Sequence, residues 1–349
     1  MTRPDRRTSS RCDNGKVMRS VEEVVIARRT GFCYGVREAI DYAKLAAAEG
    51  KSTHTLGQVV HNEGVIAELQ QEGIRTVDTL DDVTQGAAVV IRAHGVTPEV
   101  MLRAVDKGLE VIDGTCTWVI QEQKELAKLV EEGYTIVLLG TPKHPEVVGL
   151  LGFAPDAIVV DEEEDWERIP RKKRMALISQ STQPPWKFER LAAHLVSRAH
   201  ELKIVNTVCP VTIRRQQDTM ELAERVELMV VVGGRNSANT KELTRLCAIA
   251  GKPVVQIEGA SDLVDPAAFE GTRVVGVTGG TSTPIEDLER VAERVYELAG
   301  AEDRSGRAGE LAHQAVTAVA DPAYRSTSIG RVRGARATTP ATHAAAGNP

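Results

Sequence analysis

The chain contains the stretch RTGFCYGVREAI (29–40), in which Cys33 follows a short β-branched run and precedes a segment whose apolar residues have helical spacing. The same arrangement recurs around two further cysteines, Cys116 in DGTCTWVIQEQKEL (113–126) and Cys209 in NTVCPVTIRRQQDTMEL (206–222). The intervals between the three cysteines are each close to the length of one small α/β module. The sequence therefore predicts three similar modules, each of which contributes one thiol at a strand end.

Short β-branched runs alternate with longer amphipathic segments between residues 21 and 300, which is typical of βα units around parallel sheets. Strands are predicted at 21–27, 87–93, 109–114, 134–140, 157–161, 174–179, 228–234, 253–257 and 273–280. Helices are predicted at 34–49, 62–73, 98–107, 118–132, 186–202, 212–226, 239–250 and 284–299. The predicted class is α/β, with a first domain at 34–115, a second at 116–208 and a third formed by 21–33 with 209–300.

The composition excludes several classes of protein. The 349 residues match two to three average domains, and a formal net charge of −6 argues against a protein that coats nucleic acid or binds an anionic membrane surface. No apolar run is long enough for a membrane span, and the N-terminus lacks the apolar core of a secretory signal, so we predict a cytoplasmic protein with reduced thiols. Residues 1–20 and 301–349 are predicted to be a disordered leader and a disordered tail.

The position of the three cysteines suggests metal binding. A thiol at the start of a helix meets free backbone N–H groups and the positive end of the helix dipole, which lower its pKa. Any one of these cysteines alone is better explained as a small buried residue, but three in one context favour a shared soft metal. Three thiolates leave one iron of a four-iron cluster open to substrate, and zinc with an open position is the alternative. Cys247 is predicted to be a core residue.

Polar and glycine-rich loops follow several predicted strands, at the sheet edge where α/β proteins bind ligands. His61, His94 and His144 are predicted to supply positive hydrogen-bond donors, although each alone is better explained as a structural residue. Phosphate oxygens are predicted to bind loop amides at helix N-termini and three side chains, those of Ser237, Asn239 and Ser282. Glu146 is the one carboxylate in this set and the predicted proton donor.

Seven short motifs occur in order along the chain: GFCYGV, VVHN, AHGV, TC at 115–116, KHPEV, NSAN and TGGTSTP. In this order and spacing they resemble the 4-hydroxy-3-methylbut-2-enyl diphosphate reductase family (LytB/IspH), the last enzyme of the methylerythritol phosphate route to isoprenoids, over about residues 22 to 300. The resemblance implies a trefoil of three α/β domains around a central cavity. It also implies a [4Fe-4S] cluster bound by Cys33, Cys116 and Cys209, with the substrate hydroxyl at the fourth iron.

The same resemblance implies roles for the polar loops. Glu146 would deliver protons, and the allylic diphosphate would be bound by His61, His94, His144, Ser181, Thr182, Ser237, Asn239 and Ser282. The implied reaction is a two-electron, two-proton reductive dehydroxylation that yields isopentenyl and dimethylallyl diphosphates. A ferredoxin or flavodoxin would supply the electrons.

The chain departs from the family pattern near the predicted pocket. Thr117 replaces the proline of the usual TCP, Ala238 replaces a serine of the usual NSSN, and Arg214 ends a segment that differs from the usual Tyr-Ala-Thr-Thr-Asn after the third cysteine. The usual QTT reads Gln180-Ser181-Thr182, which leaves Ser181 and Thr182 as candidates for the hydroxyl of the proton relay. These changes predict a divergent member, and an altered substrate preference is one hypothesis.

Three other functions stay open on the sequence alone. The first is a non-catalytic homologue that senses an isoprenoid diphosphate or the redox state, and the second is a paralogue that acts on a related allylic diphosphate. The third is a zinc hydrolase that uses the same thiolates. An intact Glu146 and three intact thiols favour the reductase over the sensor.

Overall fold

A computed structural model describes residues 21–235 and 237–299. The predicted leader and tail, and Asn236 of the NSAN motif, lie outside these residues. The described part contains three sheets of four parallel strands each. Helices connect the strands, so the molecule is of the predicted α/β class.

The elements alternate along the chain. The strands are β1 (Glu23–Ile26), β2 (Thr53–Leu56), β3 (Arg75–Val77), β4 (Ala88–Ile91), β5 (Glu110–Asp113), β6 (Thr135–Leu139), β7 (Ile158–Val160), β8 (Lys172–Ser179), β9 (Ala199–Ile204), β10 (Leu228–Val232), β11 (Val254–Ile257) and β12 (Val274–Gly279). The α-helices are α1 (Tyr34–Ala48), α2 (Glu63–Gln71), α3 (Pro98–Asp106), α4 (Thr117–Glu131), α5 (Pro145–Leu151), α6 (Glu163–Trp166), α7 (Pro185–Val196), α8 (Pro210–Arg225), α9 (Ala238–Ile249) and α10 (Ile285–Leu298).

The three sheets have the same strand order. The four strands of one sheet are counted in chain order as first (β2), second (β3), third (β4) and fourth (β5). In space the second strand lies at one edge, and the first, third and fourth strands follow it, which gives the order β3-β2-β4-β5. The sheet β7-β6-β8-β9 repeats this order. The last sheet repeats it as β11-β10-β12-β1, because β1 from the start of the chain takes the fourth place. The topology therefore occurs three times, while the exact domain boundaries given above stay predictions.

Three of the central strands are largely apolar runs. Those of β4 (AVVI), β6 (TIVLL) and β10 (LMVVV) are almost wholly buried, as expected for parallel strands that are covered on both faces. Each sheet has two clusters of buried apolar side chains, one on each face. Each buried valine or leucine contributes about 2 kcal/mol to folding. The three rigid sheets fix the positions of the loops at their carboxyl ends.

The predicted secondary structure needs correction in several places, and the short helix α6 is one element that was not predicted. Strands β2 and β3 were not predicted, because the sequence THTL of β2 is polar although all four residues are buried. The helix predicted over 186–202 ends at Val196, and the exposed edge strand β9 follows it. The apolar spacing of this segment fits a longer helix, but the alternating sequence AHELKI pairs with β8. The short helix α5 was also missed.

Candidate functional site

The predicted site residues lie at the carboxyl ends of the strands. In each sheet the first and third strands are neighbours at the centre, and in the two sheets that lack β1 the chain continues from them to strands at opposite edges. Connections that diverge in this way leave a crevice at the carboxyl ends of the two central strands. The loops after the first strands lead to His61, His144, Glu146, Ser237 and Asn239. The loops after the third strands lead to His94, Ser181, Thr182 and Ser282. The three cysteines all follow fourth strands.

The cysteines have equivalent backbone environments. Cys33, Cys116 and Cys209 are the N-cap residues of α1, α4 and α8. Each cysteine amide donates a hydrogen bond to a carbonyl in the loop after the third strand of its sheet. The amide of Cys33 donates to Thr281 at 3.1 Å, that of Cys116 to Ala93 at 3.0 Å, and that of Cys209 to Ser181 at 2.8 Å. A Cβ atom at Gly35 would lie 2.7 Å from the Sγ of Cys116, so this glycine lets α1 approach the second thiol closely.

The three thiols lie near enough to influence one another's charge. Burial raises the pKa of each thiol, and burial together with the charges of Cys33 and Cys209 raises the pKa of Cys116 to about 12. The amides at the helix N-termini lower these pKa values, but burial outweighs them. The predicted effect of the helix N-termini on the thiol pKa is thus present, and burial exceeds it. Buried thiolates that repel one another need a shared positive charge, which a metal centre supplies.

The three histidines form a compact group. Their ring centroids are 5.7 Å apart for His61 and His94, 6.4 Å for His61 and His144, and 5.2 Å for His94 and His144. Burial lowers the pKa of all three, that of His144 to about 4, so the prediction of positively charged donors is wrong for the substrate-free chain. The Nδ1 of His144 accepts a hydrogen bond of 3.2 Å from the amide of Glu146, which assigns the proton of that ring to Nε2.

Arg92 is a residue of this group that the sequence analysis missed. It directly follows β4, its charge lowers the pKa of all three histidines, and its Nε has no hydrogen-bond partner among the described residues. One nitrogen of each histidine lies within 4.8 Å of the others, a spacing that suits a metal ion. The adjacent guanidinium disfavours a cation at that point and favours an anion. The only sequence signal that could have indicated Arg92 is its position as a single arginine at the end of the apolar run that forms β4.

Glu146 lies at the start of α5 and is 2% exposed. Its Oε1 accepts a hydrogen bond of 2.5 Å from the amide of Ser181, and its Oε2 accepts one of 2.9 Å from the hydroxyl of the same serine. The Thr182 hydroxyl instead accepts a hydrogen bond of 2.7 Å from Gln180. Of the two candidate hydroxyls, that of Ser181 therefore contacts the carboxylate. Burial raises the pKa of Glu146, and the two Ser181 bonds lower it.

A second carboxyl group accompanies Glu146, which the sequence analysis took to be the one carboxylate in this set. Glu122 on α4 is 1% exposed, and its protonation is coupled to that of Glu146. No sequence signal marks it, because Glu122 lies between Gln121 and Gln123 in a helix of many polar residues. The helix α4 lies against α5 and β6 in the fold.

The predicted phosphate loops meet at the start of α9. Ser237 is the N-cap of this helix, and its hydroxyl accepts a hydrogen bond of 3.3 Å from the amide of Thr240. Asn239 is 3% exposed, yet its side-chain amide atoms have no partner within residues 21–235 and 237–299. A Cβ atom at Gly280 would lie 2.6 Å from the hydroxyl of Thr240, so the loop that carries Ser282 approaches the helix closely. Buried polar atoms of this kind suit an anionic ligand.

Two further side chains hold the cysteine loops together. The buried guanidinium of Arg215 donates to the carbonyl oxygens of Gly279, Gly280 and Gly31 at 3.0, 2.6 and 2.8 Å, and its charge lowers the pKa of Cys33. Trp118, which follows Thr117 after the second cysteine, donates a hydrogen bond of 2.7 Å from its indole to the carbonyl of Thr207. Trp118 thus connects the start of α4 to the segment before the third cysteine.

Comparison with known proteins decides the family. The model of the LytB protein family matches residues 24–296. The chain belongs to this family. A relative from Geobacter metallireducens named 4-hydroxy-3-methylbut-2-enyl diphosphate reductase is 39% identical over 277 residues, which cover 79% of this chain and 98% of the relative. A relative of the same name from Citrifermentans bemidjiense is 38% identical over 274 residues, which cover 78% of this chain and 96% of the relative.

Two solved structures support the assignment to the LytB family. A structure of (E)-4-hydroxy-3-methyl-but-2-enyl diphosphate reductase, the terminal enzyme of the non-mevalonate pathway, is 33% identical, covers 79% of this chain and 100% of its own, and has a TM-score of 0.62. A structure of E-1-hydroxy-2-methyl-but-2-enyl-4-diphosphate reductase from Plasmodium falciparum is 25% identical, covers 78% and 87%, and has a TM-score of 0.74. The predicted family, α/β trefoil and oxidoreductase class are confirmed. No helix among the described residues is long and apolar enough to cross a membrane.

Proposed function

We propose that this member of the LytB family reduces (E)-4-hydroxy-3-methylbut-2-enyl diphosphate to isopentenyl and dimethylallyl diphosphates. The observation that carries the proposal is the presence, in one three-sheet fold, of three cysteine N-caps, a histidine group beside an arginine, and a buried glutamate bonded to a serine. These features suit a metal centre, an anion and a proton donor respectively. The names of the relatives, 4-hydroxy-3-methylbut-2-enyl diphosphate reductase, support the reductase activity and its diphosphate substrate.

The cysteines suit a [4Fe-4S] cluster. Cys33, Cys116 and Cys209 would hold it through thiolates at three helix N-termini. Within the described residues these thiols do not form a group as close as the histidines, whose donor atoms lie within 4.8 Å of one another. Wider spacing suits a cluster, because its thiolates bind different irons rather than a single ion. When bound, a cluster with three protein ligands supplies electrons one at a time and one iron open to act as a Lewis acid on a hydroxyl group.

The histidine group and the α9 loops would hold the diphosphate. Neutral His61, His94 and His144 donate hydrogen bonds, and Arg92 contributes a permanent positive charge. The remaining oxygens would bind to side chains and amides near the start of α9, those of Ser237, Asn239 and Ser282. The net negative charge of the chain does not oppose this binding, because the charge beside the histidines is positive.

Glu146 would deliver a proton to the allylic hydroxyl, which then leaves as water. Burial favours its neutral form, whereas the Ser181 bonds stabilise the carboxylate that remains after donation. Ser181 would orient the carboxyl, and Thr182 would act through Gln180. A ferredoxin or flavodoxin in the cytoplasm would supply the two electrons.

Turnover by the anaerobically purified, reconstituted protein tests the proposal, with the substrate and an artificial one-electron reductant. We expect both diphosphate products by chromatography. Glu146→Gln should abolish product formation while the visible spectrum of the cluster is retained, and Glu131→Gln, an exposed change on α4, should keep wild-type turnover. Substrate binding without turnover by the wild type would instead indicate a sensor, and faster turnover of another allylic diphosphate would indicate a paralogue.

Metal analysis tests the cofactor separately. Wild-type protein should be brown and contain iron and sulfide, and serine at Cys33, Cys116 or Cys209 should lower the iron content. Cys247→Ser is the matched control, because Cys247 lies on α9 and is buried in an apolar cluster that contains none of the other three thiols. Colourless protein that contains zinc would contradict the cluster and support the hydrolase alternative.

A further inference from the structure

Glu122 has an environment that is unusual for a carboxyl group. It lies on α4, the helix that begins after Cys116, and it is 1% exposed. No well-oriented hydrogen bond from any described residue reaches either of its carboxyl oxygens. A buried carboxylate without donors is several kcal/mol unfavourable, so Glu122 carries a proton. Burial raises the pKa of Glu122 well above its usual range, and the adjacent charge of Glu146 adds to the rise.

The two glutamates form an asymmetric pair. Both oxygens of Glu146 are bonded to Ser181, which stabilises the ionised form, whereas Glu122 has no donors of its own. The neighbouring Glu146 raises the pKa of Glu122, whereas the interaction with Glu122 lowers that of Glu146. The other titratable group that acts on Glu122 is the thiol of Cys209 at the start of α8. Two carboxyls whose surroundings separate their proton affinities in this way have different roles in proton transfer.

The proposed reaction gives such a pair a use, and the following inference rests on that proposed function. Each turnover consumes two protons, one that leaves with the hydroxyl as water and one that is added to carbon. Glu146 has one proton to give. Glu146 is only 2% exposed, so a second proton is best supplied by a neighbour that is already protonated.

We propose that Glu122 is a positioning residue that stores the second proton behind Glu146 and returns it to the Glu146 carboxylate within the same turnover. In this step the O–H bond of Glu122 breaks and an O–H bond forms on Glu146. No electrons move. Glu122 is left as a carboxylate, which regains its proton from water before the next turnover.

Glu122→Gln tests the proposal in the reconstituted holoenzyme, because the amide keeps the shape of the side chain but does not give up a proton. We expect kcat to fall about tenfold or more, KM to stay within twofold, and the alkaline limb of the kcat–pH profile to shift. Glu122→Asp, which restores a carboxyl, should recover part of the loss. Glu131→Gln on the same helix is the matched control. Wild-type kcat and pH profile in Glu122→Gln would overturn the proposal.

Infrared spectroscopy of the substrate-free holoenzyme tests the stored proton without relying on turnover or on a stable variant. A protonated carboxyl band should be present near pH 7, and Glu122→Gln should remove the part of it that belongs to Glu122. Absence of this band from the wild type would overturn the proposal even if the enzyme is active. An inactive wild type that shows the band would refute the proposed function and leave the proton-bearing pair demonstrated, so the two failures are distinguishable.

Discussion

The backbone amide of Cys209 donates a hydrogen bond of 2.8 Å to the carbonyl of Ser181, while the amide and hydroxyl of Ser181 donate to Glu146. One serine therefore connects the third thiol to the carboxyl group. The equivalent amides of Cys33 and Cys116 bond to loops in the other two sheets. The proposed proton donor and the proposed metal ligand are thus held by opposite sides of a single residue.

Removing the Ser181 hydroxyl should weaken proton delivery and leave the thiol in place. In Ser181→Ala, the backbone bonds to Cys209 and Glu146 remain, and one hydrogen bond to a carboxylate is lost. Such a bond is worth about 2 kcal/mol, so we expect kcat to fall roughly 10- to 100-fold with an unchanged cluster spectrum. The pKa of Glu146 should rise, because the hydroxyl bond lowers it. The kcat–pH profile measures both effects.

Thr182→Ala is the comparison that separates the two candidate hydroxyls. Thr182 accepts a bond from Gln180 and does not contact Glu146 in the structure. We expect its kcat to stay within about threefold of the wild type, as for loss of a neutral hydrogen bond. A larger loss in Thr182→Ala than in Ser181→Ala would show that the relay uses the other hydroxyl.

Arg92→Gln should weaken substrate binding more than chemistry. The change removes the permanent charge beside the histidines, so KM should rise about tenfold or more while kcat changes little. The pKa of each histidine should rise, because Arg92 lowers it in the wild type. Steady-state kinetics with the diphosphate substrate measures the effect. Arg103→Gln, an exposed change on α3, is the control, and an unaltered KM in Arg92→Gln would remove Arg92 from the anion site.

The difference between predicted and missed residues has a physical cause. Cys33, Cys116 and Cys209 were predictable because their role depends on a local pattern, a strand end followed by a helix start. Arg92 and Glu122 were not, because their environments come from contacts between elements that are distant in sequence. Polarity along a helix predicts exposure for Glu122, whereas the folded chain leaves it only 1% exposed. The same limit explains β2, whose polar residues become buried between neighbouring strands.

Arg215→Met should destabilise the cysteine loops. Three buried carbonyls would lose their donor, those of Gly31, Gly279 and Gly280, at a cost of about 3 kcal/mol or more. The pKa of Cys33 should rise, because the guanidinium lowers it. We expect a lower thermal midpoint and faster loss of iron to a chelator in the holoenzyme. Arg168→Met at an exposed site is the control, and equal iron loss in the two variants would contradict this role for Arg215.

The histidine group predicts how stability depends on pH. The pKa of His144 falls from its ordinary 6.5 to about 4 on folding, so between these pH values the unfolded chain binds more protons than the folded one. The contribution of His144 to stability is therefore complete above pH 6.5 and is lost as the pH falls toward 4. His144→Asn should flatten the fall of the thermal midpoint between pH 6.5 and 4, because asparagine does not titrate and still caps α5. His200→Asn, an exposed change on β9, should keep the wild-type slope. A wild-type slope in His144→Asn would show that the proton uptake on unfolding belongs to other groups.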